Sequence, residues 1–115
     1  DKARRAQPIT THRYLNGEPA LDLLYIDDFA EAAARTVKQK FTGTLNLGTG
    51  TVTSTRSIAE LLKENLGSQS PVEQVQIDAY TACIAMDCRK AHSTLGWKPT
   101  VALQDGLRRI VTQST

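Results

Sequence analysis

The chain has 115 residues, enough for one domain or part of one, and its formal net charge of +2 is too small to argue for nucleic-acid binding. Hydrophobic residues make up 40% and charged residues 23%, as in an ordinary soluble globular chain, while aromatics at 5% leave leucine, isoleucine, valine and alanine to fill the interior. No apolar run approaches the roughly 20 residues that cross a bilayer, and the opening D-K-A-R-R has neither a signal-peptide pattern nor an initiator methionine. The expectation is a cytoplasmic protein, not bound to membrane, seen as a processed or truncated piece. Cys83 and Cys88 fit no C-x-x-C spacing and read as reduced thiols.

Residues 1–8 are polar and read as a loose end, and residues 9–115 as a single α/β domain. Ile9–Leu15, rich in β-branched and aromatic residues, reads as a strand. Asn16-Gly17-Glu18-Pro19 is a turn. The run Asp22–Ile26 reads as a strand buried on both faces. Asp27-Asp28 opens a helix to Lys40, with a carboxylate capping its first amides. Phe29, Ala33 and Val37 form one line of that helix, and the small Ala30 and Ala34 beside it suit close packing on a sheet.

The organising stretch is Thr44–Leu62, a short strand (Thr44–Leu47), a glycine turn (Gly48–Gly50) and a helix capped by Ser54. Ile58, Leu61, Leu62 and Leu66 form its apolar stripe. Gly48-Thr49-Gly50 is not a dinucleotide fingerprint, because Thr53 stands where G-x-G-x-x-G requires its third glycine and no ribose-binding acid follows. Gly48 and Gly50 read instead as turn residues with positive φ. Val72–Asp78 reads as a partly exposed strand, and Ala82–Met86 as a short apolar run. Asp87 caps a helix over Cys88–Leu95 with Ala91 and Leu95 inward. Gly96 takes the left-handed position after it, Trp97 folds back on the helix end, and Pro99 stops it. Ala102–Val111 is a final helix with Leu103, Leu107, Ile110 and Val111 on one face.

No complete catalytic constellation is visible. Asp27 and Asp28 invite a metal or acid–base reading, but neighbouring residues point apart and a cap accounts for one. Glu60 and Glu64 lie on a solvated helix face. His12 and His92 have no Cys or His partner at metal-ligand spacing, although His12 could face a ligand from its strand. Ser54 and Ser57 lack a G-x-S-x-G setting, and Tyr25 has no lysine four residues on.

Three segments in order, L-D-L-L-Y-I-D-D-F-A-E-A-A, T-L-N-L-G-T-G-T-V-T-S-T-R-S-I-A-E-L-L and A-M-D-C-R-K-A-H-S-T-L-G-W-K-P-T-V-A-L-Q-D-G-L-R-R, resemble the C-terminal, substrate-binding part of the NAD-dependent epimerase/dehydratases, extended short-chain dehydrogenases acting largely on nucleotide sugars. The resemblance spans Thr11 to Val111. It implies a small mixed sheet with four helices, and a separate N-terminal Rossmann half holding the NAD or NADP loop and the Tyr-x-x-x-Lys pair. This chain alone is therefore expected to bind no cofactor and to catalyse nothing. Leu21 stands where many members carry a diphosphate-binding arginine, and V-Q-I-D-A-Y-T-A-C-I lacks a second one. Leucine cannot replace a guanidinium on phosphate. The resemblance makes Thr11, Arg13, Tyr14 and Asp22 the candidate substrate-facing residues, with Arg13 the stand-in for the missing arginine, and a nucleotide-sugar-like molecule the expected ligand. The alternative is a stand-alone, non-enzymatic binding or assembly module of the same descent. It would form homo-oligomers to cover its apolar faces. A nucleic-acid site at Arg4-Arg5 and Arg108-Arg109 is the least favoured reading.

Overall fold

The computed structural model describes residues 1–113; Ser114 and Thr115, the end of the expected 9–115 domain, lie outside the described residues. Its elements are β1 (Ile9–Arg13), β2 (Ala20–Leu21), α1 (Ile26–Lys38), β3 (Thr53–Ser54), α2 (Thr55–Leu66), β4 (Val72–Gln76), β5 (Cys83–Ile84), α3 (Arg89–Leu95) and α4 (Leu103–Gln113). The expected α/β class with four helices and mixed strand pairing is present, divided between two small sheets. β1 pairs in parallel with β4, while β2 is central to a three-stranded sheet, antiparallel to β3 and parallel to β5. Past β1, Leu15 N–H donates to the Ala79 carbonyl, and Asn16 exchanges two hydrogen bonds with Thr81.

Residues 1–8, expected to be loose, form a turn tied to the body. Ser68 and Ser70 hydroxyls donate to the Ala3 and Lys2 carbonyls, and Arg4 donates to the Val111 carbonyl of α4.

Two expected strands carry no ladder. Pairing stops at Leu21, so Asp22–Tyr25 is not a strand and Ile26 already begins α1. Thr44–Leu47 likewise has no strand partner among the described residues. Their apolar composition satisfies the strand pattern, but a strand also needs a neighbour to take its backbone groups.

The α1 helix is rotated from the expected face. Phe29 is 49% exposed and Val37 78%, while Ala32 is fully buried. The inner line is Asp28, Ala32, Arg35 and Gln39, at i, i+4, i+7 and i+11. Arg35 Nη1 donates to the Leu95 and Gly96 carbonyls at 3.1 and 2.6 Å, and Gln39 donates to Leu95. These bonds cap the C-terminal end of α3, where a cation is favoured. Polar anchoring, not hydrophobicity, sets the orientation of this helix.

Asp28 also departs from the expected cap. The α1 N-cap, Tyr25, makes no side-chain cap bond. The Asp28 carboxylate, 2% exposed, instead accepts from the Thr100 amide at 3.0 Å, the Thr100 hydroxyl at 2.8 Å and the Val101 amide at 2.9 Å. Its own carbonyl accepts from Trp97 Nε1 at 2.9 Å. Asp27 points away into solvent and pairs with Arg109 at 3.6 Å. Trp97, 1% exposed, joins Ala32, Ala91 and Leu95 in the core, with Leu24, Phe41, Leu45 and Leu47 packed against it.

Other devices stand as read. The Ser54 hydroxyl accepts from the Ser57 amide at 3.1 Å, and Gly96 caps α3 at φ 64°. Ala91 and Leu95 face inward. Asp87 accepts from the Arg89 amide at the start of α3, whose formal N-cap is Cys88. α2 packs on β1, β4 and α4. On α4, Leu107 is buried, but Ile110 is half exposed.

Burial pushes the Asp28 pKa up, but the Val101 amide, the Thr100 hydroxyl and amide and the Arg109 charge outweigh it and leave it lowered. A lowered folded-state pKa adds stability that is complete above the usual aspartate value of 3.8 and is lost as pH falls through the folded value. Asp28→Asn is expected to cost about 1–2 kcal/mol near neutral pH, since the side-chain amide keeps one acceptor oxygen for the Thr100 and Val101 amides but loses the second, which accepts from the Thr100 hydroxyl, together with the charge that strengthens all three bonds. It should also make the acid loss of stability shallower. Urea midpoints measured near neutral pH and near pH 3 check both; a variant as stable as the parent, or equally acid-sensitive, contradicts this role.

Candidate functional site

The four candidate residues fall in two places. Thr11 is 5% exposed, and its hydroxyl reaches the Glu73 carbonyl of β4 at 3.5 Å. It borders a cleft of about 310 Å3 between β1 and α2, which His12 and Pro19 also line. Tyr14 is half-buried, and its backbone pairs with Gly17. Arg13 is exposed, and its guanidinium makes no hydrogen bond to a described residue. Its charge acts on Glu18, which accepts from Gln74 Nε2 at 3.0 Å. Gln74 holds the Glu18 pKa below its usual value against the opposing effect of burial, with help from Ser54, Arg56 and Arg13. Arg56, at the start of α2, is thus a second guanidinium bearing on the same spot. Sequence reasoning passed over it because nothing in its spacing links it to Arg13.

Asp22 lies apart from this group. Its Oδ1 accepts from the Thr49 amide at 2.8 Å and the Thr49 hydroxyl at 2.6 Å. Its Oδ2 accepts from the Gly50 amide at 3.0 Å and the Met86 amide at 2.9 Å. Burial raises its pKa, and these four donors more than reverse that. The carboxylate thus fills the concavity formed by the turn amides, where an external anion would otherwise sit. A cofactor diphosphate does not fit a nest already occupied by an internal carboxylate. Gly50 has the expected positive φ, 77°, but Gly48 does not. Gly48 is required for space: a Cβ there would lie 2.7 Å from Asp22 Oδ2 and 2.7 Å from Met86 Cβ.

Clefts flank this turn. One of about 340 Å3 lies between Leu23, the threonines at 49, 51 and 53, and the start of α4. Another of about 420 Å3 lies between Gly50, Cys88, His92 and Lys98. The surroundings of Cys88 disfavour its thiolate. Burial pushes its thiol pKa up, partly offset by the Gly48 backbone, and the Asp22 and Asp87 charges add to the rise. The exposed Asp87 is bound by Arg89, whose side chain and amide lower its pKa to about 2. Among the described residues, no group of three or more His, Cys, Asp or Glu could hold a metal.

Gly48→Ala is expected to cost about 1–3 kcal/mol, as overpacking against fixed atoms does. Gly50→Ala meets only the Met86 carbonyl at 3.6 Å. It should cost about 1–2 kcal/mol for its left-handed backbone alone and keep the Asp22 bonds. Amide protection at Thr49 and Met86, followed by hydrogen exchange, should fall in Gly48→Ala and persist in Gly50→Ala; the reverse order contradicts the packing account.

No family model matches the chain. Among curated proteins it is 30% identical, over 84% of its length, to a putative UDP-glucose 4-epimerase of Methanocaldococcus jannaschii, of which it covers 31%. It is 35% identical over 79% of its length to GDP-L-fucose synthase 1 of Arabidopsis thaliana, of which it covers 28%. Among solved structures, the UDP-glucose 4-epimerase of Thermotoga maritima, determined with UDP-glucose, superimposes with a TM-score of 0.76 at 27% identity, over 98% of this chain and 37% of that one. The chain thus spans about a third of the length of the curated relatives it matches. Its homologues are proteins of the NAD-dependent epimerase/dehydratase (extended short-chain dehydrogenase) family, and the chain is similar to a C-terminal portion of them.

Proposed function

We propose that this chain is the substrate-binding part of an NAD(P)-dependent protein that epimerises, dehydrates or reduces a nucleotide sugar, and that it is not catalytic alone. The observation that carries the reading is the similarity to enzymes of UDP-glucose and GDP-fucose chemistry over only a third of their length. The sequence supports it: the tyrosines at 14, 25 and 80 have Glu18, Phe29 and Ile84 four residues on, so no Tyr-x-x-x-Lys pair occurs. The polar side chains that might attract a chemical role are committed elsewhere. Asp22 holds the glycine turn, Asp28 holds the loop after Trp97, and Cys88 is a protonated thiol.

Arg13 is the residue we assign to the substrate phosphates. Leu21, at the position where relatives are expected to carry that arginine, is 49% exposed in β2 and carries no charge. Arg13 offers a guanidinium with no hydrogen-bonded partner among the described residues, and Arg56, like Arg13, acts electrostatically on Glu18. A planar guanidinium binds phosphate oxygens in pairs, which an ammonium does not reproduce. The basic pairs at the two ends are less suited to an anion. Arg5 pairs with Asp1, Arg108 with Asp105, and Arg109 with Asp27 while lying 5.4 Å from the Tyr25 ring.

In the protein as it occurs in its source cells, Arg13→Ala is expected to weaken UDP binding about tenfold, and Arg13→Lys by less, as read by isothermal titration. Unchanged affinity in Arg13→Ala contradicts the assignment. Titration of the chain alone with NAD+ is expected to show no binding; a micromolar Kd contradicts the division of labour.

A further inference from the structure

The turn that follows β1 sets a carboxylate against the guanidinium of Arg13. Tyr14 and Gly17 exchange backbone hydrogen bonds of 2.7 and 3.0 Å, so Leu15 and Asn16 form a two-residue turn. Arg13 and Glu18 are the next residues on its two limbs, opposite one another. The register of β1 with β4 fixes the face. Thr11 pairs with Gln74 and Arg13 with Gln76, and alternation along each strand puts these four side chains on one side. The Glu18 carboxylate lies over that side, since its Oε1 accepts from Gln74 Nε2 at 3.0 Å. Glu73, paired with Thr10, belongs to the opposite side.

The carboxylate is a neighbour of the arginines without being bonded to them. The Arg13 and Arg56 charges act on it, yet no ion pair joins it to either among the described residues. Gln74 holds it from the β4 side. The Arg13 donors thus stay open to a phosphate while a fixed negative charge stands beside them. An arriving anion meets that charge with each of its own, and the repulsion grows with their number.

We propose that Glu18 is a specificity-determining residue of the phosphate site: held off Arg13 by Gln74, it admits a diphosphate diester and discriminates against anions of higher charge. This rests on the assignment of Arg13 to the substrate phosphates and adds to it what selects among phosphates. A nucleotide sugar carries about two negative charges on its diphosphate, and a nucleoside triphosphate about four. One carboxylate therefore penalises the triphosphate more than the nucleotide sugar. Glu18 is half-buried, and Arg13, Arg56 and Gln74 are exposed, so salt weakens the effect.

Isothermal titration of UDP-glucose and of UTP, without divalent cations, tests it on the protein as it occurs in its source cells. Glu18→Gln keeps an acceptor oxygen for Gln74 and removes the charge. It should improve UTP affinity at least about fivefold more than UDP-glucose affinity at about 0.01 M salt, and the difference should nearly vanish at about 1 M salt. Equal changes for the two ligands, weaker binding of both, or a difference that persists at high salt overturns the proposal. Gln74→Ala frees the carboxylate to swing onto Arg13. It should weaken UDP-glucose binding several-fold, and adding Glu18→Gln should restore it; parental affinity in Gln74→Ala contradicts the tether. Arg13→Ala in the same series separates the two readings. If it weakens UDP-glucose binding while Glu18→Gln leaves the ligand preference unmoved, the phosphate assignment stands and this proposal falls. If Arg13→Ala changes nothing, both fall.

Discussion

The Asp28 carboxylate is the constraint on which the rest of the chain depends. An ionised carboxylate only accepts, and both oxygens of Asp28 are taken by donors from one short loop, Thr100 and Val101. That loop separates α3 from α4. The residue therefore fixes the first turn of α1, the exit of α3 and the entry of α4 together. Trp97 closes the same joint by donating to the Asp28 carbonyl, and its ring supplies the largest buried side chain of the core. Truncating a buried tryptophan costs about 3–5 kcal/mol, so one joint carries a large part of the stability of a small core. At the far end of α1, Arg35 reaches the last carbonyls of α3. The helix is thus pinned at both ends by polar groups and contributes mainly alanine between them.

Asp22 repeats the device elsewhere in the chain. It gathers Thr49, Gly50 and Met86 around one side chain. This explains why a glycine turn between an apolar run and a helix is no phosphate cradle: the nest is filled from within. Two aspartates that a motif search would flag as chemistry are both ties between segments far apart in sequence. The exposed guanidinium of Arg13 has no such tie among the described residues, and the substrate assignment rests on it.

Much of this was legible from sequence. Ser54, Gly96, Trp97 and the stripe of α2 act through local rules, and local rules are carried by neighbouring residues. The failures share a physical cause. Phe29, Ala33 and Val37 make the better apolar line on α1, but the inner face is decided by what Asp28, Arg35 and Gln39 bond to some 60–70 residues away. Asp22–Ile26 and Thr44–Leu47 have strand composition but no partner here to make them strands. Gly48 was read for its backbone freedom, whereas contact with Asp22 and Met86 requires it. Of the candidate site, Arg13 could be named from the resemblance, while Arg56 could not, since only the fold places it near Glu18.

The central claim is that this chain is one part of a larger nucleotide-sugar enzyme. The most direct test is the intact mass of the polypeptide that carries a Thr44–Lys63 peptide in its source cells. Because the chain covers 31% of a curated relative, the account predicts a polypeptide roughly three times heavier than the 12.6 kDa of these residues. A native mass of 12.6 kDa would contradict it.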